Sequence, residues 1–311
     1  MTTVKELAEV MGQGQIFENE PMSRHTTFHI GGPADILACP ETEDGLAAGI
    51  RWCVQKDIPF YIIGNGSNLL VGDQGFRGVL FKICKTMDWV ETELIDKAAP
   101  ETSGIIVRAG AGIMLAKLAK DISAQGYTGF EFATGIPGTL GGAVAMNAGA
   151  YDGEMKQLIT SVWVMDMKGN IRELTVEEMA MGYRTSRVQT ENLIVLSTAM
   201  ELKRGSEKEI LRYVEELTCK RREKQPLEYP SAGSTFKRPE GYFAGKLIQD
   251  AGLKGYRVGD AMVSEKHSGF VINVGCATAS QVRQLMADVD RKVYEDFHVH
   301  LEPEIRMIGE F

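Results

Sequence analysis

Residues 129–149 read GFEFATGIPGTLGGAVAMNAG, a stretch in which glycines fall among small residues at unusual density. The glycines are Gly129, Gly135, Gly138, Gly141, Gly142 and Gly149. Because glycine loses more conformational freedom on folding than any other residue, such a run needs a compensating reason. Close approach of the main chain to a large flat or anionic ligand is one reason, and a tight glycine-packed crossing of two elements is the other. The first interpretation predicts a ligand-binding domain around this segment.

A second glycine-rich turn, GNGSNLLV at residues 64–71, follows a predicted helix capped by Thr42 and a predicted buried strand at 59–63. A turn of glycine, serine and asparagine after a buried strand can present several main-chain N–H groups to an anion. The usual dinucleotide fingerprint is excluded, because Leu69 stands where its third glycine belongs and residues 69–72 do not open a helix. Any phosphate held by this turn is therefore held outside a Rossmann unit.

The rest of the chain mixes the periodicities of helices and strands. Helices are predicted within residues 1–20 and at 42–54, 115–126, from 207 onward and after a cap at Ser280. Strands are predicted at 28–30 (broken by Gly31-Gly32-Pro33 and resuming after it), 78–81, 104–108, 162–166 with 171–174 as a hairpin, 193–196, 270–273 and 298–306. A shift to charged residues near 204 predicts a domain boundary there.

Residues 228–250, EYPSAGSTFKRPEGYFAGKLIQD, form a polar, glycine-rich loop between two predicted helices. Lys237, Arg238 and Lys246 supply cationic donors suited to phosphate or carboxylate. A ligand explains such a segment better than packing does, although an ordinary surface loop is the competing interpretation. Earlier in the chain, Tyr183 and Arg184 fit a surface pair and a binding site equally well.

Composition excludes several classes of protein. The 311 residues are 44% hydrophobic and 24% charged, as expected of a globular protein with a core. A net charge of −8 argues against nucleic-acid and anionic-membrane partners, and no stretch has the length of a membrane span or the pattern of a secretion signal. The five widely spaced cysteines indicate free thiols in a cytoplasmic protein. Neither a metal site, for which His298 and His300 lack further ligands, nor an obligate protein partner is indicated.

Four motifs together resemble the UDP-N-acetylenolpyruvoylglucosamine reductases, also called UDP-N-acetylmuramate dehydrogenases. They are residues 129–149, the pair 183–184, residues 231–250 and residues 301–309, and the resemblance runs in order from about residue 23 to the last residue given. About 50 residues separate Arg184 from Ser234, and the serine motif continues as FKRPEG. Both features resemble the type II class of the family, which lacks an inserted substrate-covering loop with a tyrosine.

The resemblance implies an α+β fold with non-covalently bound FAD. Residues 23–203 would form an FAD-binding domain of the vanillyl-alcohol oxidase / p-cresol methylhydroxylase type, with subdomains at about 23–75 and 76–203. Residues 204–311 would form an α+β substrate-binding domain, and residues 1–22 a docking segment. The implied cofactor-binding residues are Gly64, Asn65, Gly66, Ser67, Asn68, Gly135, Ile136, Pro137, Gly138, Gly141, Gly142, Asn147 and Gly149.

The implied reaction is the NADPH-dependent reduction of UDP-N-acetylglucosamine enolpyruvate to UDP-N-acetylmuramate in peptidoglycan precursor synthesis, with hydride passing through FAD. Hydride addition to an enoyl carboxylate requires stabilisation of an enolate and then a proton. By resemblance, Ser234 in AGSTFK donates that proton, while Arg184 in YRTS and Glu304 in LEPEIR stabilise the enolate. Further candidates for contacts with the substrate carboxylate and diphosphate are Tyr183, Lys237, Lys246, Gln249 and Asn273.

The sequence is compatible with two other functions. One is a different FAD-linked oxidase or dehydrogenase of the same cofactor fold. Such enzymes often tether flavin through histidine or cysteine, and the centre of the glycine-rich stretch has neither residue. The other is a non-catalytic nucleotide-sugar sensor, against which the joint presence of Arg184, Ser234 and Glu304 argues.

Overall fold

The computed structural model describes residues 2–83 and 87–311, and it contains both helices and strands, as expected of an α+β protein. The helices are α1 (Thr2–Met11), α2 (Glu43–Gln55), α3 (Leu115–Ala124), α4 (Leu140–Ala145), α5 (Arg187–Thr190), α6 (Glu207–Lys224), α7 (Ala244–Asp250) and α8 (Ala279–Phe297). The strands are β1 (Gly14–Pro21), β2 (Pro33–Pro40), β3 (Phe60–Ile63), β4 (Leu69–Val71), β5 (Phe76–Lys82), β6 (Val90–Leu94), β7 (Ile105–Gly110), β8 (Tyr127–Thr128), β9 (Gly149–Ala150), β10 (Gly153–Glu154), β11 (Ile159–Met165), β12 (Ile171–Thr175), β13 (Ile194–Arg204), β14 (Ser231–Ser234), β15 (Arg257–Val258), β16 (Ala261–Val263), β17 (Phe270–Asn273) and β18 (Arg306–Ile308).

The chain forms two compact units, each assembled from three segments. The larger unit comprises Met1–Phe17, Leu37–Asn65 and Val79–Arg221, and the smaller comprises Glu18–Ile36, Gly66–Gly78 and Arg222–Phe311. The boundary predicted near residue 204 stays a prediction. Among the described residues, no helix combines the length and apolar character needed to cross a membrane.

The larger unit is built on an antiparallel sheet of order β12-β11-β13-β7-β6, with β8 paired to the end of β13. The predicted hairpin is confirmed: Val162 pairs with Leu174, and the Asp166 carboxylate accepts hydrogen bonds from main-chain N–H groups of the turn. The predicted helix α3 is confirmed as well, since Leu115, Leu118 and its other predicted apolar residues are buried. Alternation along the strands and the 3.6-residue period of α3 thus give this unit its core.

The strand-helix-strand pattern before residue 71 is also confirmed. The Thr42 side chain caps α2 by accepting a hydrogen bond from the Gly45 N–H at 3.0 Å. Strand β3 then pairs in parallel with β5, Phe60 lying opposite Val79. These strands belong to a sheet of order β1-β2-β5-β3. The turn that follows β3 leads into strand β4 rather than a helix, as the failed dinucleotide fingerprint predicts.

The smaller unit packs α7 and α8 on an antiparallel sheet of order β14-β17-β16-β15. Helix α8 contributes its predicted apolar stripe to the core of this unit. In that stripe, Val282, Leu285, Val289 and Val293 have no exposed surface. Burial of each such side chain stabilises the fold by about 1.5–3 kcal/mol. The same unit contains a parallel pair, in which β18 lies beside β4.

Three predictions of elements are wrong in detail. Residues 28–30 form no strand; Phe28 and Ile30 instead lie buried in the core of the smaller unit. Helix α8 is capped by Thr278 in a capping box with Gln281, not by Ser280. The strand predicted over 298–306 is reduced to β18, because residues 298–305 make only one isolated bridge, at Pro303.

The N-terminus of α8 has a second acceptor, the carboxylate of Asp73. It accepts hydrogen bonds from the main-chain N–H groups of Ala279 (2.7 Å) and Ser280 (2.9 Å). Burial tends to raise the pKa of Asp73, but hydrogen bonds from Ser280, Ala279 and Thr278 outweigh burial, so that the pKa is lowered. Cys84, one of the cysteines predicted to be free thiols, lies outside the described residues.

Candidate active site

Gly64 and Asn65, the first two residues of the glycine-rich turn, lie beside the glycine-rich segment 129–149 in the larger unit. The Asn65 side chain donates a hydrogen bond from Nδ2 to the carbonyl oxygen of Pro137 at 2.7 Å. A Cβ on Gly64 would lie 2.3 Å from the Thr139 hydroxyl oxygen, so the backbone of residue 64 must remain bare for the two segments to meet. The structure therefore brings together the stretches that the sequence separates by about 70 residues.

Protein packing accounts for several of these glycines. An ideal Cβ would lie 2.3 Å from Arg221 at Gly135, 2.8 Å from Ala111 at Gly141 and 2.6 Å from the Gly153 carbonyl oxygen at Gly149. The tight crossing of elements accounts for glycine at 141 and 149, whereas at 135 the neighbour is the far end of the flexible Arg221 side chain. Gly142 differs, because the nearest atom to its Cβ position is the Thr139 hydroxyl oxygen at 3.6 Å. Approach of a ligand to the main chain remains the better explanation for glycine at 142.

The turn after β3 has a donor set suited to an anion. Gly66 has a φ of 66°, and a Cβ there would lie 2.1 Å from the His25 carbonyl oxygen, so only glycine fits. Within residues 2–83 and 87–311, the main-chain N–H groups of Asn65, Gly66 and Ser67 donate to no protein acceptor. Consecutive N–H groups left to solvent in a turn form a concavity that binds phosphate oxygens. The residues present thus fit the diphosphate of a dinucleotide.

Ser234 is presented by a bulge at the end of β14. Ser231 pairs with Ile272 and Ser234 with Phe270, and the register shifts between the two pairs. Gly233, inside the bulge, has a φ of 78°. A bulge with glycine in the left-handed conformation re-aims the side chain that follows it. The half-buried Ser234 hydroxyl makes no hydrogen bond to the part of the chain that is described.

Glu304 lies beside Ser234 in the smaller unit. The Glu304 N–H donates to the carbonyl oxygen of Thr235 at 2.8 Å, and the Lys237 N–H donates to the carbonyl oxygen of Glu302 at 2.8 Å. Segments 235–237 and 302–304 therefore run together, with Ser234 one residue from the contact. The Asn68 side chain donates from Nδ2 to the Glu304 carbonyl oxygen at 3.1 Å. One predicted cofactor-binding residue and two predicted catalytic residues thus belong to one hydrogen-bonded framework.

Arg184 belongs to the larger unit, at the tip of a tight turn between Gly182 and Thr185. Its φ of 56° is rare for a residue with a side chain. The guanidinium lies 5.0 Å from the centre of the exposed Tyr183 ring and donates from Nη2 to the Gly149 carbonyl oxygen at 3.4 Å. Strained backbone of this kind concentrates at functional sites, which is consistent with the site interpretation of the Tyr183-Arg184 pair.

The predicted substrate lysines are paired with acidic side chains. Lys237 Nζ lies 3.1 Å from Glu302 Oε2, and Lys246 Nζ contacts the Asp250 carboxylate. Gln249 is exposed on α7. Exposed pairs of this kind contribute at most about 1 kcal/mol, so a ligand phosphate can replace the carboxylate at little cost.

Two asparagines predicted to contact ligands make hydrogen bonds within the protein, and their contacts with ligands stay predictions. The Asn273 side chain, 4% exposed, donates to the Phe28 carbonyl oxygen and accepts from the N–H groups of Gly275 and Ala277. The Asn147 side chain, 1% exposed, is saturated by three hydrogen bonds to protein groups. Both donor hydrogens of the Asn147 amide are used within the fold, and one donor hydrogen of the Asn273 amide is used in the bond to Phe28.

Arg221 is a candidate that the sequence analysis missed. Its guanidinium packs on Gly135 in the glycine-rich segment, and burial lowers its pKa. It makes no ion pair among the described residues. The signal was its place in α6: Arg221 continues the inward stripe of Ile210, Val214 and Leu217 at helical spacing, and a cation on an apolar face calls for an anionic partner.

Two family models match the chain. The model described as UDP-N-acetylenolpyruvoylglucosamine reductase, C-terminal domain, matches residues 225–308, and the model described as FAD binding domain matches residues 34–175. A UDP-N-acetylenolpyruvoylglucosamine reductase of Alkaliphilus oremlandii is 51% identical over 306 residues, covering 98% of this chain and 97% of that protein. The protein of the same name from Lachnoclostridium phytofermentans is 52% identical over 307 residues, covering 99% and 97%.

A solved structure agrees with these relatives. The crystal structure of UDP-N-acetylenolpyruvylglucosamine reductase from Thermus caldophilus superposes with a TM-score of 0.78 at 34% identity, covering 96% of this chain and 99% of that one. Together with the two family models, it confirms the predicted fold class, an α+β protein with an FAD-binding domain and a distinct C-terminal domain.

Proposed function

Because the chain belongs to the family of UDP-N-acetylenolpyruvoylglucosamine reductases, we propose that it reduces UDP-N-acetylglucosamine enolpyruvate to UDP-N-acetylmuramate by a mechanism that uses Ser234, Arg184 and Glu304. The enzyme is an FAD-containing oxidoreductase that consumes NADPH and acts in peptidoglycan precursor synthesis. We also propose that the protein acts in the cytoplasm, as the sequence predicts.

Bound FAD supplies the relay of hydride between NADPH and the enolpyruvyl double bond. The turn Asn65–Ser67, with its main-chain N–H groups, would hold the diphosphate of FAD, and the bare backbone at Gly142 would lie against the dinucleotide. The Asn65 side chain supports this role by fixing the first segment to the second through Pro137. Main-chain donors fixed in place need no reorganisation when an anion binds.

Ser234 is the residue on which the proposal depends most. Its hydroxyl has no hydrogen-bond partner in the described structure, although the residue is half-buried and the bulge at Gly233 fixes its direction. A hydroxyl left without an acceptor in such a position is available to give its proton to the substrate carbon next to the carboxylate. Because a serine hydroxyl is a weak acid, the nearby cationic side chains Lys237 and Arg238 would support the donation.

Arg184 and Glu304 would act on the carboxylate end of the enolpyruvyl group. Charge that develops on the carboxylate oxygens is stabilised by the guanidinium of Arg184. The left-handed backbone of Arg184 supports a functional interpretation, since backbone in such conformations is concentrated at functional sites. The Glu304 N–H donates to Thr235 and the Glu304 carbonyl oxygen accepts from Asn68, so the main chain that carries the Glu304 side chain is fixed in place.

The decisive experiment measures the two half-reactions of Ser234→Ala by stopped-flow absorbance of the flavin. We expect reduction by NADPH to stay within about twofold of the unmodified enzyme, and reoxidation by the enolpyruvyl substrate to slow roughly 10²- to 10⁴-fold, the usual range for loss of a general acid. Ser231→Ala is the matched control, because it makes the same change three residues earlier in the same strand. Equal losses in both half-reactions would contradict the role of Ser234 as proton donor.

A further inference from the structure

The turn that carries Arg184 is closed tightly by its own main chain. The N–H of Gly182 donates to the carbonyl oxygen of Thr185 at 3.0 Å, and the N–H of Thr185 donates back to the carbonyl oxygen of Gly182 at 3.3 Å. Arg184 stands between them with a φ of 56°. Left-handed backbone is unfavourable for a residue with a Cβ, so groups outside the turn must help to hold it.

Two amide side chains hold the turn on either side of Arg184. Asn147 donates from Nδ2 to the carbonyl oxygen of Gly182 at 3.1 Å, and Gln189 donates from Nε2 to the carbonyl oxygen of Arg184 itself at 3.3 Å. The guanidinium is anchored separately, by the Gly149 carbonyl oxygen at 3.4 Å. The backbone and the head of Arg184 are therefore fixed by different groups.

The anchors of the turn are connected to the last residue of α4, Ala145. Gln189 Nε2 also donates to the carbonyl oxygen of Ala145 at 2.7 Å, and the Ser186 hydroxyl donates to the same oxygen at 2.6 Å. Asn147 lies two residues after the end of α4, and α4 begins in the glycine-rich segment at Leu140. The six-residue helix α4 thus connects the anchors of Arg184 to the glycine-rich segment, which the proposed function places against the cofactor.

Asn147 is suited to this task and to no contact with substrate. It is 1% exposed and has a φ of 44°, a conformation that asparagine tolerates better than most residues. Its second Nδ2 proton is donated to Glu154 Oε2 at 2.9 Å, and its Oδ1 accepts from the Lys156 N–H at 2.9 Å. Any effect of Asn147 on the reaction must therefore pass through another residue.

We propose that Asn147 and Gln189 are positioning residues for the reduction of the enolpyruvyl group, acting through Arg184 by fixing its main chain in the left-handed conformation. The inference rests on the role of Arg184 in the proposed function. It accounts for a buried asparagine and for the part-buried hydrogen-bond cluster around the Arg184 turn.

The variants are chosen to remove these hydrogen bonds without removing volume. Asn147→Asp loses both donors and places its carboxylate against Glu154. The double variant Asn147→Asp with Glu154→Gln restores the contact between the two side chains with the donor reversed, yet leaves the Gly182 carbonyl oxygen without a donor. Gln189→Met removes the second anchor. Glu154→Gln alone is the matched control, because its amide oxygen still accepts from Asn147.

In the double variant and in Gln189→Met, we expect reoxidation of the flavin by the enolpyruvyl substrate to slow roughly 10- to 100-fold, as for a catalytic group displaced by about 1 Å. Flavin content and reduction by NADPH should match those of Glu154→Gln. Affinity for UDP-N-acetylmuramate, measured by calorimetry on the oxidised holoenzyme, should fall as well, because the product carries the carboxylate that Arg184 faces.

The same double variant is then placed in an Arg184→Ala background. If Asn147 acts only through Arg184, the double variant causes no further slowing and no further loss of product affinity in the Arg184→Ala background. Slowing by the same factor with and without Arg184, or equal slowing of both half-reactions, would overturn the positioning role while leaving the proposed function intact. Unchanged reoxidation in Arg184→Ala alone would overturn the role of Arg184 in the proposed function and the positioning role with it.

Discussion

The bulge before Ser234 can be perturbed by a single methyl group. Gly233 has a φ of 78°, and no atom lies within 4 Å of the position that a Cβ would take. Alanine at 233 therefore collides with nothing, and its whole cost is that of left-handed backbone, about 1–2 kcal/mol. The chain can relieve this cost by flattening the bulge into regular strand. The pairing register then shifts by one residue, which turns the Ser234 side chain toward the other face of the sheet.

Gly252→Ala provides the matched control. Gly252 has a φ of 73°, nothing lies within 4 Å of its Cβ position, and it follows α7 rather than the catalytic strand. We expect both variants to lose about 1–2 kcal/mol in the free energy of unfolding by urea. Only Gly233→Ala should also slow reoxidation of the flavin by the enolpyruvyl substrate, at least tenfold beyond the control, with reduction by NADPH unchanged. If the two variants lose equal stability and show equal kinetics, the bulge does not aim Ser234.

Two further predictions concern stability and thiol chemistry. Asp73→Asn should lower the free energy of unfolding by about 1 kcal/mol at pH 7, since it removes a negative charge from the N-terminus of α8 and one of the two oxygens that accept from Ala279 and Ser280. Because the folded-state pKa of Asp73 is lowered, its contribution is complete above the unfolded pKa of about 3.9 and is lost as the pH falls through the folded value, so urea titrations of the two proteins should converge below about pH 4. Burial raises the pKa of Cys53 to about 12, whereas Cys276 is exposed. Iodoacetamide at pH 8 followed by peptide mass spectrometry should label Cys276 and spare Cys53 in the folded protein; labelling of both at equal rates would contradict the burial of Cys53.

Elements with local signals could be predicted from the sequence. The hairpin around Asp166 and the helix α3 depend on alternation, helical period and turn residues that lie within a few positions of one another. The cap of α8 was also readable, because Thr278 and Gln281 stand in the spacing of a capping box. The prediction of Ser280 as the cap is therefore wrong even though the sequence contains the signal for Thr278.

The roles of the asparagines could not be predicted in this way. The hydrogen-bond partner of the Asn273 side chain, the Phe28 carbonyl oxygen, is 245 residues away along the chain. Asn147 meets Gly182 across 35 residues. An amide side chain looks the same in a sequence whether it faces a ligand or a distant carbonyl group, and only the fold decides between them.

The resemblance predicts the catalytic motifs, and the structure adds hydrogen bonds that relate two of them. Ser234 and Glu304 are joined through the main chain at Thr235, which no spacing in the sequence shows. Arg221 stayed unnoticed for a related reason. Arg221 stands between two other basic residues, Lys220 and Arg222, and the sequence does not show that its side chain lies on Gly135.

The hydrogen bonds of Asn68 have a consequence for the order in which the protein is built. The carbonyl oxygen of Asn68 accepts from the Arg306 N–H at 2.9 Å, its side chain donates to Glu304, and the parallel pairing of β4 with β18 begins at the next residue. Contacts between segments so distant form only after the later segment has left the ribosome. The turn at 66–68 is synthesised early but acquires its final shape late, so the unfinished chain emerging from the ribosome lacks the complete turn to which we assign the diphosphate.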